Sequence, residues 1–378
     1  MKSVILHIGI PKTGSSALQV FCAQNRAALL SQGYDYFELG DFALGARGKI
    51  SSGNGAHLAR SFLRPQGAGY KPDRDLQLAA LDRKIAASAS ATGLLSSEHF
   101  VFADDAALTE FSAWLSARGV SLQFFYYVRD QIQFLTSSYI QQVKRHACTE
   151  TAEEYILRVY AKIAHIKYSR LFERLAKIAG PEQIICENYQ DARALPHGIC
   201  DTFVTALGLD ARKLKFAEAS VNVSLDLTEI KIMLALNQLK PRMVFSDLLV
   251  ENAARRGRKG SDLTYQLLSQ DTLETLEHYF ADDNARFARS YFRRDKLFEP
   301  PAPPPEGQRI ANAEPTLAEV MEVFGGLLVR FDERLAALER RLSNAAIAEA
   351  PARNALTSVA PRPKARTPSS VEQDGPTS

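Results

Sequence analysis

The sequence predicts an α/β fold, because short apolar or aromatic runs of strand length alternate with segments of helical periodicity over residues 1–299. Two junctions carry most of that reading. The apolar run 4–8 passes through a loop of Gly, Lys, Thr and Ser into a helical pattern at Ala17, Leu18, Phe21 and Cys22. The aromatic and β-branched run 124–128 ends on Arg129 and leads into a second helical stretch. With 378 residues, 46% hydrophobic and 24% charged, the chain has the composition of a globular protein able to bury a large core.

Residues 4–8 suit a buried strand, and Gly9-Ile10-Pro11-Lys12-Thr13-Gly14-Ser15-Ser16 reads as an anion cradle. Ser15 or Ser16 is expected to cap the helix that follows, whose free N–H groups point back into the loop. Such a helix start offers donors and a positive dipole end to a phosphate-like group. Gly9 and Gly14 have the spacing of the nucleotide-triphosphatase loop G-x-x-x-x-G-K-[ST], but Ser15 stands where its lysine belongs and Lys12 lies inside the loop. A loop that merely turns the chain and binds nothing is the plain alternative.

The helix continues to Gln32, where Gly33 stops it, and residues 34–38 form a short second strand. Residues 40–75 are rich in Gly, Ser, Pro and Arg and read as a long irregular segment with a short helix at 57–63, either part of an acceptor pocket or a surface loop. A helix at 75–90 turns Leu78, Leu81 and Ile85 to one side. Residues 93–100 then read as a third strand ending in Ser96-Ser97-Glu98-His99-Phe100, and the carboxyl ends of parallel strands are where α/β sites assemble. A helix at 104–117 turns Leu108, Phe111, Trp114 and Leu115 inward. The strand 124–128 delivers Arg129, and a helix at 132–146 carries Ser137, Tyr139 and, at its end, Lys144, Arg145 and His146. A guanidinium fork at a strand end with a hydroxyl on the next helix suits a phosphate monoester.

Pro11-Lys12-Thr13-Gly14-Ser15-Ser16 after the first strand, together with Arg129, Ser137 and Tyr139, resembles the sulfotransferases that use 3′-phosphoadenosine 5′-phosphosulfate (PAPS). The resemblance spans residues 1–298 and is to the bacterial, soluble, carbohydrate-sulfotransferase-like branch. Gln131 departs from it, standing where the family often has proline. The resemblance implies a P-loop-like three-layer α/β/α sandwich with a central parallel sheet and PAPS at the strand ends. Lys12, Thr13, Gly14, Ser15 and Ser16 would hold the phosphosulfate, and Arg129 and Ser137 the 3′-phosphate. Arg258-Lys259-Gly260 matches a loop that covers that phosphate. Glu98 is expected as the general base, as in heparan-modifying members, with His99 as its competitor. The implied reaction moves a sulfuryl group to a hydroxyl or amine, on a glycan or glycolipid, and releases 3′,5′-adenosine bisphosphate without a metal. A P-loop kinase or NTPase, or a degenerate fold serving as a coiled-coil scaffold, are the competing readings.

Further along, one or two helices fill 151–178, and Ile184-Ile185-Cys186 is a strand leading to Glu187-Asn188-Tyr189. Residues 199–207 and 225–239 are helical, Val221-Asn222-Val223-Ser224 is a helix entry, and a helix at 273–292 closes the 1–299 domain. A proline-rich linker occupies 300–314. In 315–345, Leu317, Met321, Phe324, Leu328, Phe331, Leu335, Leu338 and Leu342 alternate by four and three residues, the seam of a coiled coil, and imply a homo-oligomer. Residues 346–378 are expected to be disordered. With 46 Lys and Arg against 43 Asp and Glu, no general attraction to nucleic acid is expected. No run is long enough to span a membrane, no signal peptide is read, and the four cysteines lack metal-type spacing, which together point to the cytoplasm.

Overall fold

The computed structural model describes residues 1–216, 225–239, 244–255, 263–299 and 314–356. Arg258, Lys259 and Gly260, the Asn222 segment and the linker 300–313 lie outside the described residues. The strands are β1 (Ser3–Ile8), β2 (Tyr34–Tyr36), β3 (Thr92–Ser97), β4 (Ser121–Val128) and β5 (Ile184–Asn188). They form one parallel sheet in the order β2-β3-β1-β4-β5. Helices α1 (Ser15–Gln24) and α2 (Arg26–Leu30) follow β1, and α3 (Phe42–Ala46), α4 (Ala56–Ser61) and α5 (Arg74–Ala87) connect β2 to β3. Helix α6 (Asp105–Ser116) precedes β4, while α7 (Gln131–Arg145), α8 (Ala152–Val159) and α9 (Tyr168–Ala179) lead to β5. After β5 come α10 (Tyr189–Arg193), α11 (Ile199–Ala206), α12 (Leu227–Gln238), α13 (Val244–Arg255), α14 (Thr264–Leu267) and α15 (Gln270–Phe287).

The strands are apolar on both faces, as a parallel sheet covered by helices requires. Ile5, Leu94, Phe125 and Tyr127 join Leu18, Phe21 and Phe203 from α1 and α11 in one cluster. Residues of the alternate register, Val4, Leu6, Phe124 and Tyr126, are equally buried, and α6 and α9 pack against β4. The connection after β1 runs toward β2, whereas the one after β4 runs toward β5. Their carboxyl ends are neighbours, so a crevice opens between them at the point where the winding reverses.

The expected helix to Gln32 is in fact two. Asn25 breaks it, because its amide donates to the carbonyls of Phe21 and Lys215 while its oxygen accepts the Lys215 N–H at 2.7 Å. The third strand stops at Ser97, and Glu98 to Phe102 wind into a 3₁₀ turn. Trp114 lies at the rim of the core, with the Arg118 guanidinium 3.7 Å from its ring centre, while Leu108, Phe111 and Leu115 are fully buried.

The chain divides into two compact units, Met1–Val320 and Met321–Ser378. Helix α16 (Leu317–Leu356) runs past residue 345, where disorder was expected to begin, and 357–378 lie outside the described residues.

Candidate active site

The loop after β1 is shaped by close contacts. A Cβ on Gly9 would lie 2.6 Å from Ser15 Oγ and 2.9 Å from Glu98 Cγ, so only glycine lets those two side chains meet over the backbone. Thr13 is buried, and its hydroxyl donates to the Ile10 carbonyl at 2.7 Å, tying the loop to itself. Neither Ser15 nor Ser16 caps α1. The cap is Gly14 in the left-handed region at φ 81°, with no side-chain hydrogen bond. As a result the N–H groups of Thr13, Gly14, Ser15 and Ser16 find no acceptor among the described residues. Lys12 also has a positive φ, 68°, a conformation that costs a side-chain-bearing residue energy and is held by its surroundings.

Lys12 and Glu98 face each other across this loop. Burial pushes the Lys12 ammonium down, Glu98 pulls it back up, and the charges of Lys144 and Arg129 lower it again. Burial raises the Glu98 carboxyl, against the opposing pull of Lys12 and the Ser15 hydroxyl. Behind the loop, buried His7 on β1 places Nδ1 2.8 Å from Ser96 Oγ, which also accepts from Gln19 at 3.2 Å. Burial holds this imidazole neutral, pushing it down to about 3.

Arg129 is fixed from three sides. Its Nη1 donates to the Lys12 carbonyl at 2.5 Å, across 117 residues of sequence. Its own N–H donates to the hydroxyl of buried Tyr168 at 3.1 Å, and that hydroxyl donates back to its carbonyl. Its guanidinium lies 5.3 Å from the centre of the Tyr189 ring, and Arg193 sits 6.0 Å from the same ring. Arg129, Gln133, Tyr189, Gln190 and Arg193 line a cleft of about 250 Å³ beside the loop. Asp130 also borders it, but its carboxylate accepts the Gln133 N–H at 2.8 Å and caps α7.

The structure thus brings Lys12, Thr13, Gly14, Ser15, Ser16, Glu98 and Arg129 together. Ser137 is half-buried two turns into α7, and its hydroxyl makes no hydrogen bond among the described residues. His99 follows Glu98, but its Nε2 accepts from Arg60 Nε at 3.3 Å, and burial and that guanidinium both keep it neutral. Arg60 comes from α4 in the long glycine-rich segment, whereas Arg47 bonds back to the Ala43 carbonyl of the helix it follows.

The sequence assigns no site role to Tyr168, Tyr189 or Arg193, although it places Tyr189 just past the strand at 184–186. Tyr189 follows the carboxyl end of β5, so the strand-end rule that found Glu98 and Arg129 also points to it. Tyr168 sits in an apolar helical pattern and carries no local signal. The sequence motif had marked Gln131 as a departure; its side-chain amide pairs reciprocally with that of Asn284, at 2.6 and 3.0 Å, and joins α7 to α15. Among the described residues, no group of three or more His, Cys, Asp or Glu side chains is placed to hold a metal ion, and no helix is long and apolar enough to cross a membrane.

No protein-family model matches the chain, and no curated protein matches it. Among solved structures it is similar to a sulfotransferase from Alicyclobacillus acidocaldarius, at 14% identity and a TM-score of 0.42, over 78% of this chain and 100% of that one. It is also similar to a retinol dehydratase in complex with androsterone and inactive cofactor PAP, at 14% identity and a TM-score of 0.30, over 75% and 80% of the two chains. At TM-scores this low neither likeness decides the chemistry of this chain.

Proposed function

We propose that the protein is a sulfotransferase that takes a sulfuryl group from PAPS and passes it to an acceptor hydroxyl, with Glu98 as the general base. The observation that carries this reading is the bond from Arg129 Nη1 to the Lys12 carbonyl, which joins the two anion-binding motifs into one basic crevice. The residues there suit a doubly anionic nucleotide. The N–H groups of Thr13 to Ser16, which find no acceptor among the described residues, and the Lys12 ammonium attend one end, and Arg129, Arg193 and the Tyr189 ring line a cleft at the other.

PAPS supplies the sulfuryl group when bound and departs as 3′,5′-adenosine bisphosphate. Glu98, its carboxyl raised by burial against the opposing pull of Lys12 and the Ser15 hydroxyl, accepts the acceptor's proton as the new S–O bond forms. Lys12 and the loop N–H groups stabilise the charge that develops on the leaving oxygen. His99 is a poor base because the lone pair of its Nε2 is engaged by Arg60. We take the acceptor to be a glycan or glycolipid, by the glutamate type of base. The four free cysteines suit action in the cytoplasm.

The test is transfer of radiolabelled sulfate from PAPS to a panel of glycans. Lys12→Ala and Glu98→Gln should each lower turnover by about 100-fold or more. Near-normal turnover in Glu98→Gln would remove it as the base. Activity that requires ATP and Mg²⁺ and ignores PAPS would favour a kinase or NTPase.

A further inference from the structure

We infer that α16 pairs with the same helix of a second copy as a parallel, two-stranded coiled coil through residues 317–342. The seam of leucine, phenylalanine and methionine follows a heptad, with Met321, Leu328, Leu335 and Leu342 at the a positions. These four side chains are between 58% and 70% exposed in the single chain; of the d positions, Phe324 and Leu338 are 40% and 53% exposed and Phe331 is half-buried. Such a stripe on one helix is an unusual amount of apolar surface to leave in water.

The flanking charges choose the occupant and its direction. In this register Arg334 and Arg341 stand at g, and Asp332 and Glu339 at e. Parallel chains set each g residue against the e residue of the following heptad on the partner, which pairs Arg334 with Glu339 twice by symmetry. Antiparallel chains would set g against g and e against e, arginine facing arginine and acid facing acid. Charged e and g positions also keep the apolar stripe narrow between Leu328 and Leu342, as two strands require.

Sedimentation of the full chain at micromolar concentration tests this and should give twice the 41.8 kDa chain mass. Leu335→Glu with Leu338→Glu should give a monomer. Because that variant perturbs the helix as well, the charges supply a second measure. Arg334→Glu alone and Glu339→Arg alone should each weaken the dimer roughly tenfold, and mixing the two variants should restore it, since every cross pair is then opposite in sign. A monomeric full chain overturns the inference. So do single charge variants that dimerise as tightly as the natural chain, or a mixture that associates no better than its parts.

Discussion

Arg129 would be an ordinary surface cation if its strand alone positioned it. The Tyr168 hydroxyl clamps its backbone on both sides, and its side chain spans to the Lys12 carbonyl, so the guanidinium is set before any ligand arrives. Pre-set charge of this kind needs no reorganisation when an anion binds. His7 shows what burial does to a titratable group beside the same loop. Its pKa falls from near 6.5 in the unfolded chain to about 3 in the folded one, so between those values the unfolded chain holds a proton that the folded chain rejects. Stability is therefore full above about pH 6.5 and is lost as pH falls, by about 1.4 kcal/mol per unit from this residue. His165, pushed down to about 4 by burial and Arg174, adds in the same direction. Urea unfolding at about pH 7 and about pH 5 should show a loss of roughly 4 kcal/mol from the two histidines together, about half of which His7→Phe removes. An unchanged pH slope in His7→Phe would refute the assignment.

The elements around the site depend on two side chains that finish the sheet. Beyond the three residues of β2, the edge of β3 is closed by buried Asn54, whose amide donates to the Leu94 carbonyl at 2.9 Å and accepts the Ser96 N–H at 2.8 Å. On the opposite edge the Tyr291 hydroxyl accepts the Cys186 N–H and donates to the Ile184 carbonyl. Each stands in for a missing strand at one donor and one acceptor of its edge. Asn54 also brings the glycine-rich segment against the strand that presents Glu98, and Arg60 from the same segment reaches His99. Asn54→Leu leaves the Ser96 donor and the Leu94 acceptor buried and unmet, and should cost about 2–4 kcal/mol in chemical denaturation. A cost below about 0.5 kcal/mol would show that the edge needs no such closure.

At the scale of the whole molecule, the strands, the loop after β1 and the arginine after β4 were legible because each is local. An apolar run, a glycine loop and a strand-end arginine declare themselves within a few residues. What brings them together is not local. The sheet order that makes β1 and β4 neighbours, the Asn25 break pinned by Lys215, and the Tyr168 clamp all rest on partners far away in sequence. The cap on α1 was misread for a different reason: serine is the commoner capping residue, but Gly14 takes the left-handed turn that frees the N–H groups. The central claim is that one crevice, built from the Lys12 loop and Arg129, binds both ends of an adenosine nucleotide carrying two anionic groups. Calorimetric titration with 3′,5′-adenosine bisphosphate tests it most directly. Micromolar binding that weakens at least about tenfold in both Arg129→Ala and Lys12→Ala is the predicted result. No binding to the natural chain, or binding that neither substitution disturbs, would contradict it.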